Sequence, residues 1–300
     1  MKSLISIGDL TKDEIVDVVQ LAVRLKAERS QGTFVEGLQH KIVGMIFEKP
    51  STRTRAAFEV ATVELGGYPI YLNWNDLQLG RGETIADTAR VLSKYLSCIV
   101  LRATSHSTIV EMADYASVPV INALSDLEHP CQLLADLMTI YEKKGTFNGM
   151  KIAWIGDGNN VCNSAILSCA QMGMRVDVAC PPGYEPNADI VLRGQQLSAV
   201  RVIHDPLEAA SAADILYTDT WISMGDEAAS AQRLRAFSRY RIDEKVLETA
   251  KDDAIVLHCL PAHRGQEITD EVMDGPRSAI FEQAENRLHA QKALLLKLPL

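Results

Sequence analysis

The chain has 300 residues, of which 47% are hydrophobic and 23% charged, and its formal net charge is −9. This length favours two domains of about 130–150 residues, each large enough to bury its own core. The acidic balance excludes a general nucleic-acid-binding protein, which needs a basic face, and no apolar run approaches the ~18 residues that cross a membrane.

Short β-branched apolar runs alternate with longer helical patterns along the chain, which predicts parallel sheets with right-handed crossovers. The predicted strands are Ile42–Phe47, Ile70–Leu72, Cys98–Leu101, Val118–Ile121, Lys151–Ile155, Arg175–Ala179, Val200–Ile203, Ile215–Tyr217 and Ile255–Leu257. The helical patterns include Glu83–Tyr95, Gln132–Lys143 and Glu282–Leu296. We therefore predict an α/β protein with two domains, each a parallel sheet flanked by helices.

The strand pattern restarts after a Gly-containing turn near residue 150, which predicts domains at residues 1–145 and 146–281. The helix Gln132–Lys143 would link them as a hinge. The C-terminal helix in residues 282–300 has no strand after it, and we expect it to pack back onto the first domain. In parallel sheets, ligands bind at the carboxyl ends of strands, so the polar clusters that follow strands are the candidate sites.

The first cluster is Ser51-Thr52-Arg53-Thr54-Arg55, which follows a strand and opens a helix. Helix starts expose N–H groups and partial positive charge, which suits phosphate, and the hydroxyls and guanidiniums add donors. The alternative is that Ser51 only caps the helix while Glu48 and Glu59 neutralise the arginines. Two arginines in a first turn favour the anion site, because cations oppose the helix dipole there.

Two further polar features follow strands of the first domain. The run "HPCQ", His129 to Gln132, offers a histidine that can donate to a carbonyl oxygen and a glutamine that can bind an amide. Arg102 directly follows the strand "CIVL". Taken alone, His129 is compatible with a structural role and Arg102 with a surface charge.

The second domain begins with "WIGDGNNVCNS", which starts like the dinucleotide fingerprint Gly-x-Gly-x-x-Gly. Val161 stands where the third glycine would be, and the next strand ends without a carboxylate for a ribose, so a nicotinamide oxidoreductase is disfavoured. The adjacent amides of Asn159 and Asn160 suit a small polar group such as an amino-acid carboxylate.

Two more clusters follow strands of the second domain. In "DTWISMG", Asp219 can hold an ammonium group, or it can simply cap a turn. In "HCLPAHRG", Cys259 is better placed to accept a hydrogen bond from an amine than to act as a nucleophile, because no oxyanion motif accompanies it. A small buried residue is the alternative for this cysteine. Cysteine and histidine spacings show no zinc pattern, so we predict no metal site.

The six cysteines show neither CxxC pairs nor a framework spacing. This usage is typical of free thiols in a reducing compartment. The N-terminus lacks the long apolar stretch of a signal peptide. We therefore expect a cytoplasmic protein.

Taken in order, the motifs "STRTR", "HPCQ", "DTWISMG", "HCLP" and "AENR" resemble those of the aspartate/ornithine carbamoyltransferase family. The likeness runs from about Leu10 to Leu296, and the pair "DTWISMG" and "HCLP" is similar to its ornithine branch. The resemblance implies a carbamoyl-phosphate-binding first domain, with the C-terminal helix packed on it, and an ornithine-binding second domain. It also implies arginine biosynthesis, no cofactor, and a homotrimer in which the loop of Gln78 reaches a neighbour's site.

The resemblance also implies roles for individual residues. The carbamoyl-phosphate-binding residues would be Ser51, Thr52, Arg53, Thr54, Gln78, Arg102, His129, Gln132, Cys259, Leu260 and Arg287. The ornithine-binding residues would be Asn160, Asp219, Ser223 and Met224. Arg102, His129, Cys259 and Asp219 would be catalytic, and Cys259 and Leu260 would also face the side-chain amine.

Several alternatives stay open from the sequence. Within the family, putrescine, N-acetylornithine and aspartate are alternative amine substrates, although putrescine has no α-carboxylate to occupy the ornithine-binding residues. A non-catalytic binding or scaffold protein with the same fold is another hypothesis. The group that takes the proton from the amine is also open, with Asp219, Cys259 and the departing phosphate as candidates.

Overall fold

The computed structural model describes residues 1–222 and 230–300 and divides the chain into two compact α/β units. The first unit contains Met1–Met138 and Glu285–Leu300, and the second contains Thr139–Ala284. The predicted α/β class, with a helix-flanked parallel sheet in each domain, is confirmed. The predicted boundaries near residues 145 and 281 stay predictions. None of the helices formed by the described residues is long and apolar enough to cross a membrane.

The first unit is built on a four-stranded parallel sheet in the order β2-β1-β3-β4. Its strands are β1 Ile42–Phe47, β2 Tyr68–Asn73, β3 Cys98–Arg102 and β4 Val120–Leu124. Its helices are α1 Lys12–Ser30, α2 Thr52–Glu64, α3 Ile85–Leu92, α4 His106–Tyr115 and the start of α5 Pro130–Lys144. All five residues of β3 are buried, as expected of a central strand with helices on both faces.

The second unit carries a five-stranded parallel sheet in the order β7-β6-β5-β8-β9. Its strands are β5 Lys151–Ile155, β6 Arg175–Ala179, β7 Val200–Ile203, β8 Ile215–Thr218 and β9 Ile255–His258. Its helices are α6 Asn160–Gln171, α7 Ala188–Leu197, α8 Pro206–Ala210, α9 Ser230–Phe237, α10 Glu244–Thr249 and α11 Asp270–Met273. The last helix, α12 Ile280–Lys297, contains the division between the units at Ala284 and Glu285.

Most predicted strands lie within a residue or two of the observed ones, but the prediction Val118–Ile121 is displaced. The strand found there is Val120–Leu124. Pro119 has no backbone N–H and therefore cannot donate to a sheet ladder, so the pairing with β3 begins at Val120. β3 ends at Arg102, and the loop after β4 leads to His129, so the carboxyl ends of these strands position both candidate site residues.

Candidate active site

The start of α2 lies directly after β1 and carries the "STRTR" run. Ser51 is the N-cap, and its Oγ accepts a hydrogen bond from the Thr54 backbone N–H at 3.3 Å. The first turn has no acidic residue. Arg53 is half-buried and Thr54 is buried, whereas Thr52 is exposed. The capping role of Ser51 and an anion site at this helix start are therefore compatible, since capping uses only one of the exposed N–H groups.

Arg287 joins residues of three helices in the first unit. Its Nη2 donates to Thr54 Oγ1 at 3.0 Å, and its Nη1 donates to Gln132 Oε1. Gln132 Nε2 in turn donates to Asp136 Oδ1 at 2.8 Å. The structure thus brings together Thr54 of α2, Gln132 of α5 and Arg287 of α12, as the family resemblance implies.

Arg102 and His129 lie in the electrostatic field of the same cluster. Burial, followed by the charges of Arg287 and Arg53, lowers the pKa of Arg102 to about 10. Burial, followed by the charges of Arg287 and Arg102, holds the pKa of His129 well below its ordinary value. His129 is therefore neutral near pH 7 and can donate one ring N–H to a carbonyl oxygen. Accumulated positive charge of this kind favours a bound dianion.

The Arg102 side chain adds a second sign of an anion site. It is 6% exposed, and its Nε has no hydrogen-bond partner in the parts of the chain that the structure describes. A buried guanidinium N–H that stays unsatisfied is costly, and an anionic oxygen would satisfy it. The unsatisfied Nε of Arg102 therefore favours an anion bound at this side chain.

In the second unit, Asp219 follows β8 and is buried. Its Oδ1 accepts from Thr220 N at 2.7 Å and from Cys259 Sγ at 2.9 Å, and its Oδ2 accepts from Asn159 Nδ2 at 2.7 Å. These partners are all neutral, and within residues 1–222 and 230–300 Asp219 has no ion-pair partner. A buried carboxylate in such surroundings is suited to receive a cationic amine.

The segment after β9 holds the cysteine of this cluster. Cys259 is half-buried, whereas its neighbour His258 is fully buried and faces Glu267, with its Nε2 3.1 Å from Glu267 Oε1. Leu260 has a φ of 59°. Non-glycine residues adopt this left-handed conformation rarely, and they do so mostly where the surrounding structure demands it. The segment therefore presents Cys259 next to Asp219 and turns His258 inward.

Asp219, His258 and Cys259 each place one potential ligand atom within 4.8 Å of the others, which would suit a metal ion. However, His258 Nδ1 accepts from Leu260 N at 2.9 Å, and its Nε2 faces Glu267. Binding a metal would require His258 to give up one of these bonds. The absence of a metal site stays a prediction.

The turn between β5 and α6 lies beside Asp219. Gly158 is required there, because a Cβ atom would approach the Pro186 backbone nitrogen to 2.2 Å. The two adjacent amides were expected to be available to a ligand, but Asn159 caps α6 and donates to Asp219. Asn160, the first residue of α6, is half-buried. Of this pair, only Asn160 stays a predicted ligand contact.

Three further residues were predicted to bind ligands: Gln78, Ser223 and Met224. Gln78 is exposed in a 3-10 helix, and its side chain makes no hydrogen bond within the described ranges. Ser223 and Met224 lie outside the described residues. Sequence reasoning missed Asp136 and Glu267, which hold Gln132 and His258. The spacing of Gln132 and Asp136, four residues apart on one helix, was a usable signal for the first of them.

The first α/β unit carries a guanidinium cluster at a helix start, and the second carries a carboxylate–thiol pair. These features suit an enzyme that binds an anionic substrate and an amine substrate. Two family models match nearly the whole chain. Residues 2–142 match the carbamoyl-P binding domain, and residues 148–298 match the Asp/Orn binding domain, of aspartate/ornithine carbamoyltransferase. The chain belongs to the aspartate/ornithine carbamoyltransferase family.

Individual relatives agree with this assignment. The chain is 56% identical over 299 residues to an ornithine carbamoyltransferase of Archaeoglobus fulgidus, covering 99% of this chain and 97% of the relative. It is 57% identical over 298 residues to one of Methanosarcina acetivorans, covering 99% of both chains. The solved ornithine carbamoyltransferase of Pyrococcus furiosus is 47% identical and superposes with a TM-score of 0.96, covering 99% of this chain and 96% of that one.

Proposed function

We propose that this carbamoyltransferase transfers the carbamoyl group of carbamoyl phosphate to the δ-amine of L-ornithine, producing L-citrulline and phosphate. The observation that carries this choice is the buried Asp219 carboxylate, whose partners in the described residues are neutral and include the Cys259 thiol. Such a group attracts an ammonium and repels the second carboxylate of aspartate. The ornithine carbamoyltransferases at 56–57% identity support the same substrate.

Carbamoyl phosphate, a dianion, is the ligand that we assign to the first unit. Ser51, Thr52, Arg53 and Thr54 would bind its phosphate at the start of α2, together with Arg102 and Arg287. Charge-assisted hydrogen bonds of this kind contribute roughly 1.5–3 kcal/mol each. The buried Arg102 Nε supports this assignment, because an anionic oxygen would satisfy it.

The carbonyl oxygen of the carbamoyl group gains negative charge as the amine attacks. Thr54, Arg102 and His129 would donate to this oxygen, and Gln132 would hold the carbamoyl amide. The lowered pKa of His129 keeps its imidazole neutral, so it serves as a hydrogen-bond donor and adds no charge to a crowded cationic site. Loss of one such donor typically lowers the rate ~10²–10³-fold.

Ornithine is the ligand that we assign to the second unit. Asn160, Asp219, Ser223 and Met224 would bind it, and Cys259 and Leu260 would face its side-chain amine and contact the carbamoyl phosphate. The amine, with a pKa near the ~10.4 of lysine, must lose a proton before it attacks. The nitrogen then bonds to the carbamoyl carbon, and the bond from that carbon to the phosphate oxygen breaks. Asp219, Cys259 and the departing phosphate remain the candidates for the proton acceptor.

We further propose that the protein works in the cytoplasm, in arginine biosynthesis, as a homotrimer without a cofactor. An exposed apolar face of the first unit supports the assembly. It consists of Val60 and Val63 on α2 with Tyr68 and Ile70 on the edge strand β2. Large apolar side chains exposed on a helix and on the edge strand that follows it are typical of a surface that another chain covers.

Citrulline formation from ornithine and carbamoyl phosphate tests the proposed function. The Arg53→Ala variant should lose affinity for carbamoyl phosphate, whereas Cys259→Ser should act mainly through ornithine. Arg90→Ala is the matched control, since it removes the same charge from an exposed helix of the same unit. Parallel assays with putrescine, N-acetylornithine and aspartate identify the amine. Preference for one of these three over ornithine, or ligand binding without turnover, would overturn the proposal.

A further inference from the structure

The side chain of Asn159 connects the start of α6 with Asp219. As the N-cap of α6, its Oδ1 accepts hydrogen bonds from Val161 N at 3.0 Å and from Cys162 N at 3.1 Å. Its Nδ2 donates to Asp219 Oδ2 at 2.7 Å. One amide therefore satisfies two helix N–H groups with its oxygen and a buried carboxylate with its nitrogen.

The orientation of this amide follows from its chemistry. The backbone N–H groups of Val161 and Cys162 need an acceptor, and the Asp219 carboxylate needs a donor. Turning the amide over would place its oxygen against the carboxylate and its NH₂ group against the N–H groups, so three attractive contacts would become repulsive. The helix cap thus fixes which end of Asn159 faces Asp219.

The contact sets the orientation of the Asp219 carboxylate. Asn159 is the only recorded donor to Oδ2 within the described ranges, whereas Oδ1 accepts from Thr220 N and Cys259 Sγ. Because both oxygens accept hydrogen bonds, rotation of the carboxylate about its Cβ–Cγ bond would break at least one of them. Without Asn159, Oδ2 would lose its donor and that rotation would be less strongly opposed.

We infer that Asn159 is a positioning residue, which holds the Asp219 carboxylate in the orientation that receives the cationic amine of the substrate. This inference rests on the proposed function and deepens it. Asn159 acts through Asp219 and the helix cap, without contacting the reacting atoms. Its contribution should therefore appear in the kinetics of ornithine and leave those of carbamoyl phosphate unchanged.

Asn159→Ser separates positioning from capping. Serine caps a helix about as well as asparagine, but its shorter side chain lacks the amide NH₂ group that donates to Oδ2. We expect the KM for ornithine to rise about 10–100-fold, as for a charged group that loses one hydrogen bond, and the KM for carbamoyl phosphate to change less than about twofold. The melting temperature should stay within about 2 °C of the control.

Asn187→Ser is the matched control. Asn187 caps α7 in the same unit by accepting from Asp189 N and Ile190 N, and it makes no contact with Asp219 in the described structure. Its kinetics should match the wild type. If both serine variants keep the wild-type KM for ornithine, or if both KM values of Asn159→Ser worsen together with its melting temperature, the positioning role is wrong.

Asn159→Asp adds a readout that a purely structural role would not move. Aspartate retains the cap, but it places a second carboxyl group against Asp219, and such a pair retains a shared proton to higher pH. Among residues 1–222 and 230–300, Cys259 and His258 each place a titratable atom within 4.8 Å of the Asp219 carboxylate, and both are present in every variant. The pH profile of kcat/KM for ornithine should gain a second ionisation on its acid side, and an unchanged profile would contradict the inference.

The same series separates this inference from the proposed function. A wild-type enzyme that forms no citrulline contradicts the proposed function, and the inference falls with it. A wild type that forms citrulline, with variants that match it in ornithine kinetics and pH profile, contradicts the inference alone.

Discussion

At the scale of single residues, the charges of Arg53, Arg102 and Arg287 act on one another, whereas Arg55 of the same run is paired with Glu59 at 2.9 Å. Burial, followed by the charges of neighbouring guanidiniums, lowers the pKa of both Arg102 and His129. Each shift reflects the cost of holding a positive charge at that position. A phosphate dianion reverses that cost, because an opposite charge favours the protonated guanidinium. Binding of a dianion would therefore also reduce the electrostatic repulsion among these arginines.

The cysteines allow a prediction at the same scale. Cys259 is half-buried, while the other five cysteines are buried. Burial raises the pKa of Cys131 and of Cys180 to about 12, and also raises the pKa of Cys98 and of Cys162. Since the thiolate is the reactive form, native protein treated with iodoacetamide at pH 8 should be labelled at Cys259 alone. Peptide mass spectrometry after brief labelling measures this.

Two controls define the result. Cys259→Ser should remain unlabelled under the same conditions, and unfolding in guanidinium should expose all six thiols. Labelling of Cys131 or Cys180 as fast as Cys259 in the native protein would contradict the prediction.

At the scale of elements, α12 anchors the C-terminus to the first unit through side chains along its length. Lys292 is buried and pairs with Glu64 of α2 at 2.9 Å, and Lys297 pairs with Asp17 of α1 at 3.0 Å. Arg287 of the same helix, a predicted site residue, donates to Thr54 Oγ1 of α2 at 3.0 Å. The helix therefore supplies both a structural contact and a site residue. Breaking the Lys292 pair would leave a buried charge uncompensated, which is strongly destabilising.

A pH dependence of stability belongs to the same helix. His289 is buried, its Nε2 lies 3.6 Å from Glu285 Oε1, and burial lowers its pKa to about 4 although the Glu285 charge acts in the opposite direction. Between pH 6.5 and 4 the unfolded chain binds a proton there that the folded chain does not. The free energy of unfolding should therefore fall by up to about 1.4 kcal/mol per pH unit as the pH decreases through this window.

His289→Leu removes the titrating group and tests this contribution. Urea midpoints measured at pH 5 and pH 7 should differ less in the variant than in the wild type. Exposed His263→Leu is the control, and it should keep the wild-type difference. If His289→Leu has the same pH dependence as the wild type, another group is responsible for it.

At the scale of the whole molecule, the proposed trimer makes a prediction about shared sites. Gln78 is exposed and makes no side-chain hydrogen bond in the described parts of its own chain, whereas Arg53 is half-buried in the first turn of α2. If Gln78 serves a neighbour's site, Gln78→Ala and Arg53→Ala subunits should complement each other. Random mixing would make about one site in four intact, and about a quarter of the wild-type activity should return.

The measurement is citrulline formation after the two inactive variants are denatured together and refolded. In the control, each variant is refolded separately and the two are mixed afterwards, so that their subunits do not exchange. Light scattering on the same samples reports the oligomeric state. No activity in the co-refolded mixture would contradict shared sites, and a monomer by light scattering would contradict the trimer.

The sequence by itself determined the local structure and the chemical inventory of this protein. The strands Ile42–Phe47, Lys151–Ile155, Arg175–Ala179 and Val200–Ile203 were predicted with their observed bounds, because short runs rich in apolar and β-branched residues between turn residues favour strands. The motif order identified the family, which the comparisons confirm. Residue types near a helix start also predict that the "STRTR" run binds an anion.

Only the tertiary structure decided which distant residues meet. Arg287 reaches Thr54 across 233 positions, Cys259 reaches Asp219 across 40, and Asn159 reaches Asp219 across 60. Periodicity predicts hydrogen bonds and faces within one element, but it carries no information about sheet order or about the packing of one helix on another. The sequence therefore identified Asn159 as a polar residue in a strand–helix turn, and the fold alone turned its amide toward Asp219.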